Sequence, residues 1–295
     1  MMVSLSTPRR WVAGASCLFL IVSAAACGED EGVQSLGDAY ANLGGGGGDG
    51  DDGPPTDDEG TSQTSAKTCS LGSRAGQALM LYLPFDGDLN SRGRVRTTMS
   101  SSSSELPSFT EGKLGSGLWV SGSSSRLDLS SSLSLDGPHT VCAWINPQSS
   151  EETTWVFRAE MSTGNMFGFG ITGTSGSPCS GTRGRPFSYG PNGCAEGSTS
   201  VSAGTFSLVC WATQPSSGMM SVTVNASSTD TTSVPTSPGT AGSVQRLILG
   251  GSSASGVVDE LTIWSTRLTD EDIRTLYAGG RGCVPSTSSS VSNED

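Results

Sequence analysis

The chain has 295 residues, of which 34% are hydrophobic and 15% are charged, and 41 of them are glycine. This composition excludes a mainly helical enzyme, whose helices would be rich in alanine, leucine, glutamate and lysine, and it favours an all-β domain. The net charge of −12 is uneven: residues 28–67 hold ten acids and one base, whereas residues 68–283 hold sixteen acids and thirteen bases. A nearly neutral domain lacks the basic surface that nucleic acids require, so we expect no nucleic-acid partner.

Residues 1–26 have the layout of a secretory signal peptide. Arg9 and Arg10 precede an apolar run from Trp11 to Val22, and small residues follow this run. A helix that crosses a membrane needs roughly 20 apolar residues, and this run is shorter. We therefore expect export of the chain rather than retention by an N-terminal membrane-spanning helix.

The segment "SAAAC" at the end of the signal resembles the lipobox of bacterial lipoproteins, whose cysteine becomes the lipidated first residue of the mature protein. Ala25, Ala26 and Cys27 match, while Ala24 stands where that family usually has leucine. Ordinary cleavage after Ala26 is the alternative, and it would leave Cys27 as a free thiol. The acidic spacer that follows favours lipidation, which implies a membrane-anchored lipoprotein. Gly28, rather than aspartate, implies the outer membrane or the cell surface.

Residues 27–67 are expected to form a disordered acidic tether behind this anchor. The stretch "GGGGGDGDDGPPTDDEGTSQTSAK" combines glycine, proline and like charges without periodicity. Such a segment cannot bury enough apolar surface to fold. A flexible coil of about 40 residues spans roughly 35 Å, which is enough to hold a domain away from a membrane. The Ser-rich residues 284–295 are likewise expected to be a disordered tail.

Ten short strand signals recur between residues 78 and 264, separated by turn residues. In chain order they are "ALMLYLPF", "SGLWVSG", "SRLDLSS", "TVCAWINP", "TWVFRAE", "MFGFGIT", "FSLVCWAT", "MMSVTVNA", "QRLILGG" and "VVDELTIW". Many short strands without an intervening helical pattern predict an antiparallel β-sandwich or barrel. The span of residues 68–283 fits one domain.

One short helix is predicted after the last strand. Thr269 is placed as its N-cap, and Asp270, Glu271 and Asp272 would fill the first turn. Negative charge there complements the helix dipole, and Asp272 completes a capping box with Thr269. Gly279 can end the helix.

Six cysteines remain once the two in the N-terminal segment are set aside, and an even number in an exported protein predicts disulfides. Two of them bracket a Gly/Pro-rich loop, two lie in strand patterns that both continue with tryptophan, and two lie at the ends of the domain. The favoured pairs, among fifteen combinations, are Cys179–Cys194, Cys142–Cys210 and Cys69–Cys283. A zinc site is disfavoured, because the chain has no CxxC motif and a single histidine.

Several motifs follow one another in an order that resembles a known family. They are "LYLPFDGDLNSRG", "GKLGSGLWVSGSSSRLDL", "HTVCAWINP", "LILGG" and "GVVDELTIWSTRLTDEDIRTLYAGG". Over residues 78–280 they resemble the laminin-G-like, concanavalin A-like domain of bacterial surface proteins. The resemblance implies an all-β, antiparallel jelly-roll sandwich with one short C-terminal helix. The six cysteines, expected to form three disulfides, and the long Cys179–Cys194 loop depart from that family's pattern. Ser91 and Arg92 stand where that family usually has an aspartate.

Glycoside hydrolases share this fold, and they are the enzymatic alternative. Retaining enzymes of this kind carry two carboxylates about 5–5.5 Å apart in a Glu-x-Asp-x-x-Glu pattern, which residues 68–283 do not contain. Strand alternation directs Asp259 inward, on the face of Leu261 and Ile263, and Glu260 to the opposite face. His139, the single histidine, is expected to be a surface or turn residue, so a serine triad is not available. We therefore expect a non-catalytic protein.

The sequence establishes no cofactor, and a structural calcium ion is the one candidate. "FDGDLN" begins like an EF-hand loop, but Ser91 replaces the required glycine and Thr97 the final glutamate. Related sandwich domains sometimes hold calcium with acids from loops and from the closing strand. That resemblance makes Asp86 and Asp259 the candidate pair; the alternative is a turn residue and a buried hydrogen-bonding aspartate.

The segment between Cys179 and Cys194 is the leading candidate for binding. A disulfide-stiffened, Gly-rich loop loses little entropy when it binds a sugar or a protein. The candidate ligand-binding residues are Arg183, Arg185, Phe187, Tyr189 and Asn192. The alternative is a loop that only packs on the sandwich through Phe187. The expected function is recognition or adhesion at the cell envelope, with carbohydrate or a surface protein as partner; a purely structural envelope protein is a further alternative.

Overall fold

A computed structural model of the chain describes residues 67–100, 106–121, 124–162, 164, 166–175, 178–179, 181–190, 193–214, 217–233, 243–250 and 255–286. The expected signal peptide, the lipidation site Cys27, the acidic tether and Asn192 lie outside these residues. Among the helices within them, none is long and apolar enough to cross a membrane.

The described residues form seventeen strands and two short α-helices. The strands are β1 (Thr68–Cys69), β2 (Leu79–Leu83), β3 (Thr97–Met99), β4 (Ser108–Glu111), β5 (Ser116–Val120), β6 (Ser124–Ser134), β7 (His139–Pro147), β8 (Thr154–Met161), β9 (Met166–Ile171), β10 (Pro186–Gly190), β11 (Gly193–Glu196), β12 (Ser207–Gln214), β13 (Met219–Val224), β14 (Ser228–Ser233), β15 (Ser243–Gly250), β16 (Gly256–Trp264) and β17 (Val284–Pro285). The helices are α1 (Ser73–Ala78) and α2 (Asp270–Tyr277), and a 3-10 turn (Ala278–Gly280) follows α2.

Two antiparallel sheets confirm the predicted sandwich. The seven-stranded sheet has the order β11-β10-β9-β8-β15-β6-β3, and the larger sheet has the order β14-β13-β12-β7-β16-β5-β4. Strand β16 lies at the centre of the larger sheet and pairs with β7 along one side. On its other side, β5 pairs with the first part of β16 and β2 with the last part. Because β16 brings together the first and the last segments of the domain, it closes the sandwich.

Side-chain alternation on β7 divides this strand between two hydrophobic clusters. Val141, Ala143 and Ile145 belong to the main core between the sheets. Cys142 and Trp144 belong to a second cluster, which includes residues of helix α2 and both chain ends of the domain, and which we call the outer cluster. Since successive residues of a strand point to opposite faces, a strand buried on both faces is apolar throughout. The continuous run "VCAWI" shows this pattern.

The described residues contain three disulfides, and they are the pairs favoured from the sequence: Cys69–Cys283, Cys142–Cys210 and Cys179–Cys194. Cys142 and Cys210 lie directly opposite each other on β7 and β12, with their Cα atoms 4.1 Å apart. The two cysteines therefore lie on neighbouring strands, as the prediction of this disulfide assumed.

The two ends of the domain meet in a parallel pair of very short strands. Thr68 pairs with Val284, and Cys69 with Pro285, next to the Cys69–Cys283 disulfide. The folded region thus continues past residue 283. The disordered tail, which was expected to begin at residue 284, does not include Val284 and Pro285. Their backbone hydrogen bonds to β1 account for the difference, since a two-residue strand has no periodicity that a sequence pattern can reveal.

Helix α2 begins at the predicted N-cap. The Thr269 hydroxyl accepts a hydrogen bond from the Asp272 backbone N–H at 3.1 Å, and the Asp272 carboxylate accepts one from the Thr269 N–H at 3.0 Å. The helix ends earlier than expected, because Ala278, with φ of 48°, takes the left-handed conformation before Gly279 does. The sequence did not predict helix α1, whose six residues are too few to show helical periodicity.

Candidate functional site

The segment between Cys179 and Cys194 is less of a loop than the sequence predicts. Strand β10 pairs with β9 on one side and with β11 on the other, so the second half of the segment is a hairpin at the edge of the seven-stranded sheet. In this hairpin Cys194 lies directly opposite Tyr189. The disulfide therefore ties the first half of the segment, around Cys179, to the face of the sheet that carries Tyr189.

A small group of side chains on this face forms its own hydrophobic cluster, separate from the main core. We call it the aromatic cluster; it consists of Trp155, Phe187, Tyr189 and the Cys179–Cys194 disulfide. The rings of Trp155 and Phe187 meet edge to face with centroids 4.9 Å apart, and the Tyr189 ring lies 6.4 Å from Trp155. Phe187 is 0% exposed, so its predicted contact with a ligand is corrected: it supports Trp155 from below.

Two glycines of β9 make room for the aromatic cluster. A Cβ at Gly168 would lie 2.8 Å from the Trp155 ring, and a Cβ at Gly170 would lie 2.8 Å from the Phe187 ring. The alternation "FGFG" was the available sequence signal, because glycine in a strand often marks the close approach of another group to one face.

Neither predicted arginine, Arg183 or Arg185, makes a cation–π contact among the residues that the structure describes. Arg183 is exposed, and its guanidinium donates to Ser150 Oγ at 2.5 Å and pairs with Glu151 at 2.6 Å. Arg185 is half-buried, and its Nε has no hydrogen-bond partner among the described residues. Of the described residues in the predicted set, Tyr189 is the one at the partly exposed edge of the cluster.

Sequence reasoning missed Arg158, which lies next to the cluster. Its guanidinium is 5.8 Å from the centre of the Trp155 ring, and its Nη2 donates to the Gly250 carbonyl oxygen at 3.2 Å. Burial, followed by the charge of nearby Arg126, lowers the pKa of Arg158. An irregularity in β8 between Trp155 and Phe157 places Trp155 on the same face as Arg158, which strict alternation does not predict.

The two aspartates predicted to share a calcium ion meet at one turn, which spans residues 112–115 between β4 and β5. Asp259 Oδ2 accepts hydrogen bonds from the backbone N–H groups of Lys113, at 2.7 Å, and Leu114, at 2.9 Å. Asp86 Oδ1 accepts one from the Ser116 N–H at 3.2 Å. The three motifs that carried the family resemblance therefore converge here, and their acids bind backbone N–H groups.

This set of groups does not fit a calcium ion. Calcium takes about six to eight oxygen ligands, whereas here N–H donors occupy both carboxylates and Arg92 lies 3.5 Å from Asp86. The part of the chain that the structure describes has no group of three or more His, Cys, Asp or Glu side chains that could hold a metal. We therefore assign Asp86 and Asp259 a structural role at the turn.

A β-bulge changes the predicted orientation of Asp259 and Glu260. Against β7, Asp259 pairs with Trp144 and Thr262 with Cys142, so that two residues of β16 oppose one residue of β7. Glu260 has a φ of 53°, the left-handed conformation that a bulge residue can adopt. The prediction that Asp259 and Glu260 lie on opposite faces of the strand is therefore wrong. The prediction that Asp259 shares the inward face with Leu261 is wrong as well. Asp259 is fully buried against the 112–115 turn, and the Glu260 side chain points to the outer cluster.

Glu260 and Asp259 are both unusual acids. Burial, and then the neighbouring Asp259, raises the pKa of Glu260 to about 9, while burial raises the pKa of Asp259 to about 7. The Tyr82 hydroxyl lies 2.7 Å from Glu260 Oε2. Glu260 borders a cavity of about 10 Å³, which has room for about one water molecule.

His139 is buried, which corrects its expected place at the surface. As the first residue of β7 it shares the inward face with Val141, and it is 1% exposed. Its Nδ1 lies 2.9 Å from the Gly137 carbonyl oxygen, and its ring meets Phe167 edge to face at 6.3 Å. Burial lowers the pKa of His139 to about 4, so the imidazole is neutral at physiological pH.

Several solved structures are similar to this chain at low sequence identity. Domain 4 of AbnA, a GH43 extracellular arabinanase from Geobacillus stearothermophilus in complex with arabinotriose, is 18% identical with a TM-score of 0.49, over 67% of this chain and 97% of that one. The binding domain of botulinum neurotoxin DC in complex with SialylT is 12% identical with a TM-score of 0.51, over 69% and 52%. A structure of botulinum neurotoxin type C, a toxin whose cell entry depends on interaction with two ganglioside molecules, is 12% identical to this chain with a TM-score of 0.52. The match covers 69% of this chain and 51% of the toxin chain.

Our chain spans about half the length of these toxin structures. At such identities the likeness concerns the fold alone. No curated protein matches the chain.

The Laminin_G_3 family, described as the concanavalin A-like lectin/glucanases superfamily, matches residues 121–274, about half of the chain. The match confirms the resemblance drawn from the ordered motifs, and the two antiparallel sheets confirm the fold that it implied. The chain belongs to this laminin-G-like family of the concanavalin A-like lectin/glucanases superfamily.

Proposed function

We propose that this chain is a non-catalytic recognition protein of the cell envelope, which binds carbohydrate on the outer face of its seven-stranded sheet. The observation that carries the proposal is the aromatic cluster, in which the half-buried Tyr189 lies outside the main core, next to the buried Trp155 and a disulfide-tied segment. An aromatic ring offers an apolar surface to the C–H groups of a sugar, with a polar tip in the case of tyrosine. A rigid support lowers the entropy lost on binding.

The fold comparison supports the same class of ligand. Among structures with this fold, one toxin binding domain is in complex with SialylT and another toxin depends on two ganglioside molecules for cell entry. Carbohydrate recognition is therefore a use to which related architectures are put, and we propose it for this chain on its own aromatic cluster.

The buried acids support a non-catalytic role. A retaining hydrolase needs two carboxylates that face its substrate across a cleft. Asp259 is fully buried beneath backbone N–H donors, and Glu260 is 6% exposed and accepts from Tyr82. Neither carboxylate is placed to reach a glycosidic bond.

The N-terminal segment supports a place at the cell surface. The signal-like residues 1–26 and the lipobox-like cysteine, Cys27, favour export and lipid anchoring, and the acidic tether would hold the sandwich away from the membrane. Mass spectrometry of the chain from an exporting bacterial host tests this part: we expect a diacylglycerol-modified N-terminal Cys27, and an unmodified mature N-terminus would overturn it.

A glycan array probed with the full chain, with and without calcium, tests the ligand class. We expect binding to a defined set of saccharides that does not depend on calcium and that Tyr189→Ala weakens by about tenfold or more. Tyr277→Ala is the matched control, because Tyr277 is also half-buried but stacks on Trp144 on the other sheet. Uniformly flat binding would overturn the carbohydrate proposal, and release of reducing sugar from a polysaccharide would overturn the non-catalytic one.

A further inference from the structure

The outer face of the seven-stranded sheet carries two rows of side chains across β6, β15 and β8. In the first row, Arg246 of β15 lies between Asp128 of β6 and Glu160 of β8. In the second row, Ile248 lies between Arg126 and Arg158. The next residue inward on β15, Leu247, pairs with Leu127 and Ala159, and all three are in the main core. The two rows therefore share the face turned away from the second sheet.

The first row holds two acids and one arginine, and the arginine binds both acids. Arg246 Nε lies 2.7 Å from Asp128 Oδ1, and Arg246 Nη1 lies 3.2 Å from Glu160 Oε2. The hydrogen bond to Asp128 raises the pKa of Arg246, and the one from Arg246 lowers the pKa of Asp128. Both carboxylates are therefore engaged by Arg246, whose fork geometry matches them.

The second row keeps positive charge. Arg126 lies 4.0 Å from Glu160, an acid that Arg246 also binds. Arg158 has no carboxylate within 4.0 Å among the residues that the structure describes, and its one direct acceptor is a neutral carbonyl, that of Gly250. Since the two rows together hold three arginines and two acids, the excess cation is on the Arg158 side of the sheet.

The second row continues from Arg158 into the aromatic cluster. Arg158 is paired with Gly168 on β9, and Gly168 is paired with Tyr189 on β10. The Trp155 ring covers Gly168 between them. With strands about 4.8 Å apart, the backbones of Arg158 and Tyr189 are separated by roughly 10 Å. A cation and a half-buried phenol therefore flank the Trp155 indole, which is 7% exposed, at a distance that a single sugar ring can span.

We propose that Arg158 binds the carboxylate of an acidic sugar, while the Tyr189 ring, supported by the buried Trp155, contacts the sugar ring. This assignment rests on the proposed function and names its ligand class. A planar guanidinium binds a planar carboxylate through two parallel N–H···O bonds, which gives direction as well as charge. A sulfate ester offers the same charge with tetrahedral oxygens, and the experiment separates the two.

Affinities of the full chain for three matched saccharides test the assignment: a neutral hexose oligomer, its uronic-acid form and its sulfated form. We expect the carboxylated form to bind most tightly and to weaken as ionic strength rises. Arg158→Gln should weaken binding of the carboxylated saccharide by about tenfold or more, because a charge-assisted pair is lost. Affinity for the neutral saccharide should stay within about twofold of the wild-type value, because that ligand offers Arg158 no carboxylate. Arg158→Lys should keep part of the affinity for the carboxylated saccharide, because the lysine ammonium keeps the positive charge but lacks the two parallel donors of the guanidinium.

Arg274→Gln is the matched control, because Arg274 pairs with an acid, Glu271, on helix α2. We expect no change in affinity for this variant, and circular dichroism should show that all three variants are folded. Equal affinity for neutral and carboxylated forms, or unchanged binding by Arg158→Gln, would overturn the inference and leave the proposed function standing. Preference for the sulfated form would overturn the carboxylate assignment. Absence of binding to any saccharide would overturn the proposed function itself.

Discussion

The Tyr82 hydroxyl donates a hydrogen bond of 2.7 Å to Glu260, and this bond joins the first long strand of the sandwich to its closing strand. Both groups are buried beside the Cys69–Cys283 disulfide and helix α2, in the outer cluster. Burial and the charge of Glu260 raise the pKa of Tyr82. The bond forms only because the bulge at Glu260 turns that side chain out of the core.

Glu260→Gln should stabilise the protein at alkaline pH. The folded pKa of Glu260 is about 9, above its ordinary value of 4.5, so the stability it contributes is full below about pH 4.5 and is lost as the pH rises through 9. Asp259, with a pKa of about 7, adds to the loss in the same direction. Glutamine keeps the shape and the bond to Tyr82 but cannot ionise. We expect the free energy of unfolding at pH 8, from urea titration, to rise on the order of 2 kcal/mol.

The same titrations at pH 4 provide the control for this prediction. There Glu260 is protonated in both the folded and the unfolded states, so the wild type and the variant should have nearly equal stability. A Glu260→Gln protein that is less stable than the wild type at pH 8 would contradict the prediction.

His139→Asn should reduce the loss of stability that the wild type shows as the pH falls below 7. The folded pKa of His139 is about 4, below its ordinary value of 6.5, so its contribution is full above pH 6.5 and is lost as the pH falls through 4. An asparagine can still donate to the Gly137 carbonyl. We expect the wild type to lose on the order of 2 kcal/mol between pH 7 and pH 4.5 through this group, and the variant to lose less. Equal slopes for both proteins in thermal unfolding over this range would refute the assignment.

Gly112→Ala should destabilise the turn that holds Asp259. A Cβ there would lie 2.7 Å from Asp259 Oδ2 and 2.6 Å from the Ser116 carbonyl carbon, so backbone would have to move. Overpacking of this kind costs about 1–3 kcal/mol. Gly76→Ala is the matched control, because nothing lies within 4 Å of its Cβ position and helix α1 favours alanine by about 1 kcal/mol. Urea midpoints measured side by side should move in opposite directions; a shift of the same sign in both would contradict the contact.

Cys179→Ser/Cys194→Ser should loosen the aromatic cluster while leaving the sandwich folded. The disulfide closes a loop of sequence separation 15, and loss of such a link costs about 3 kcal/mol in the chain-entropy model. We expect a lower urea midpoint and greater quenching of tryptophan fluorescence by acrylamide, because Trp155 loses its cover. Far-ultraviolet circular dichroism should be unchanged. Unaltered quenching would show that the disulfide does not hold the segment over Trp155.

The fold class was accessible from the sequence because its signals are local. Period-two alternation, turn residues and the capping box of Thr269 and Asp272 act over a few residues, so they predicted strands and the closing helix without reference to neighbours. The cysteine positions led to the three pairs present in the structure, since strand signals around Cys142 and Cys210 and the ends marked by Cys69 and Cys283 narrowed the choice. The order of the five motifs along the chain indicated the laminin-G-like family.

The orientation of individual side chains was decided by tertiary structure. One extra residue in a bulge reverses the face of every residue beyond it, so no alternation rule could predict that Asp259 binds the 112–115 turn and Glu260 binds Tyr82. The burial of Phe187 and the position of Arg158 beside Trp155 likewise depend on how β8, β9 and β10 align. By itself, the sequence determined a disulfide-linked sandwich with a capped helix. The candidate site exists only because register, a long-range property of paired strands, brings Trp155, Arg158 and Tyr189 to one face.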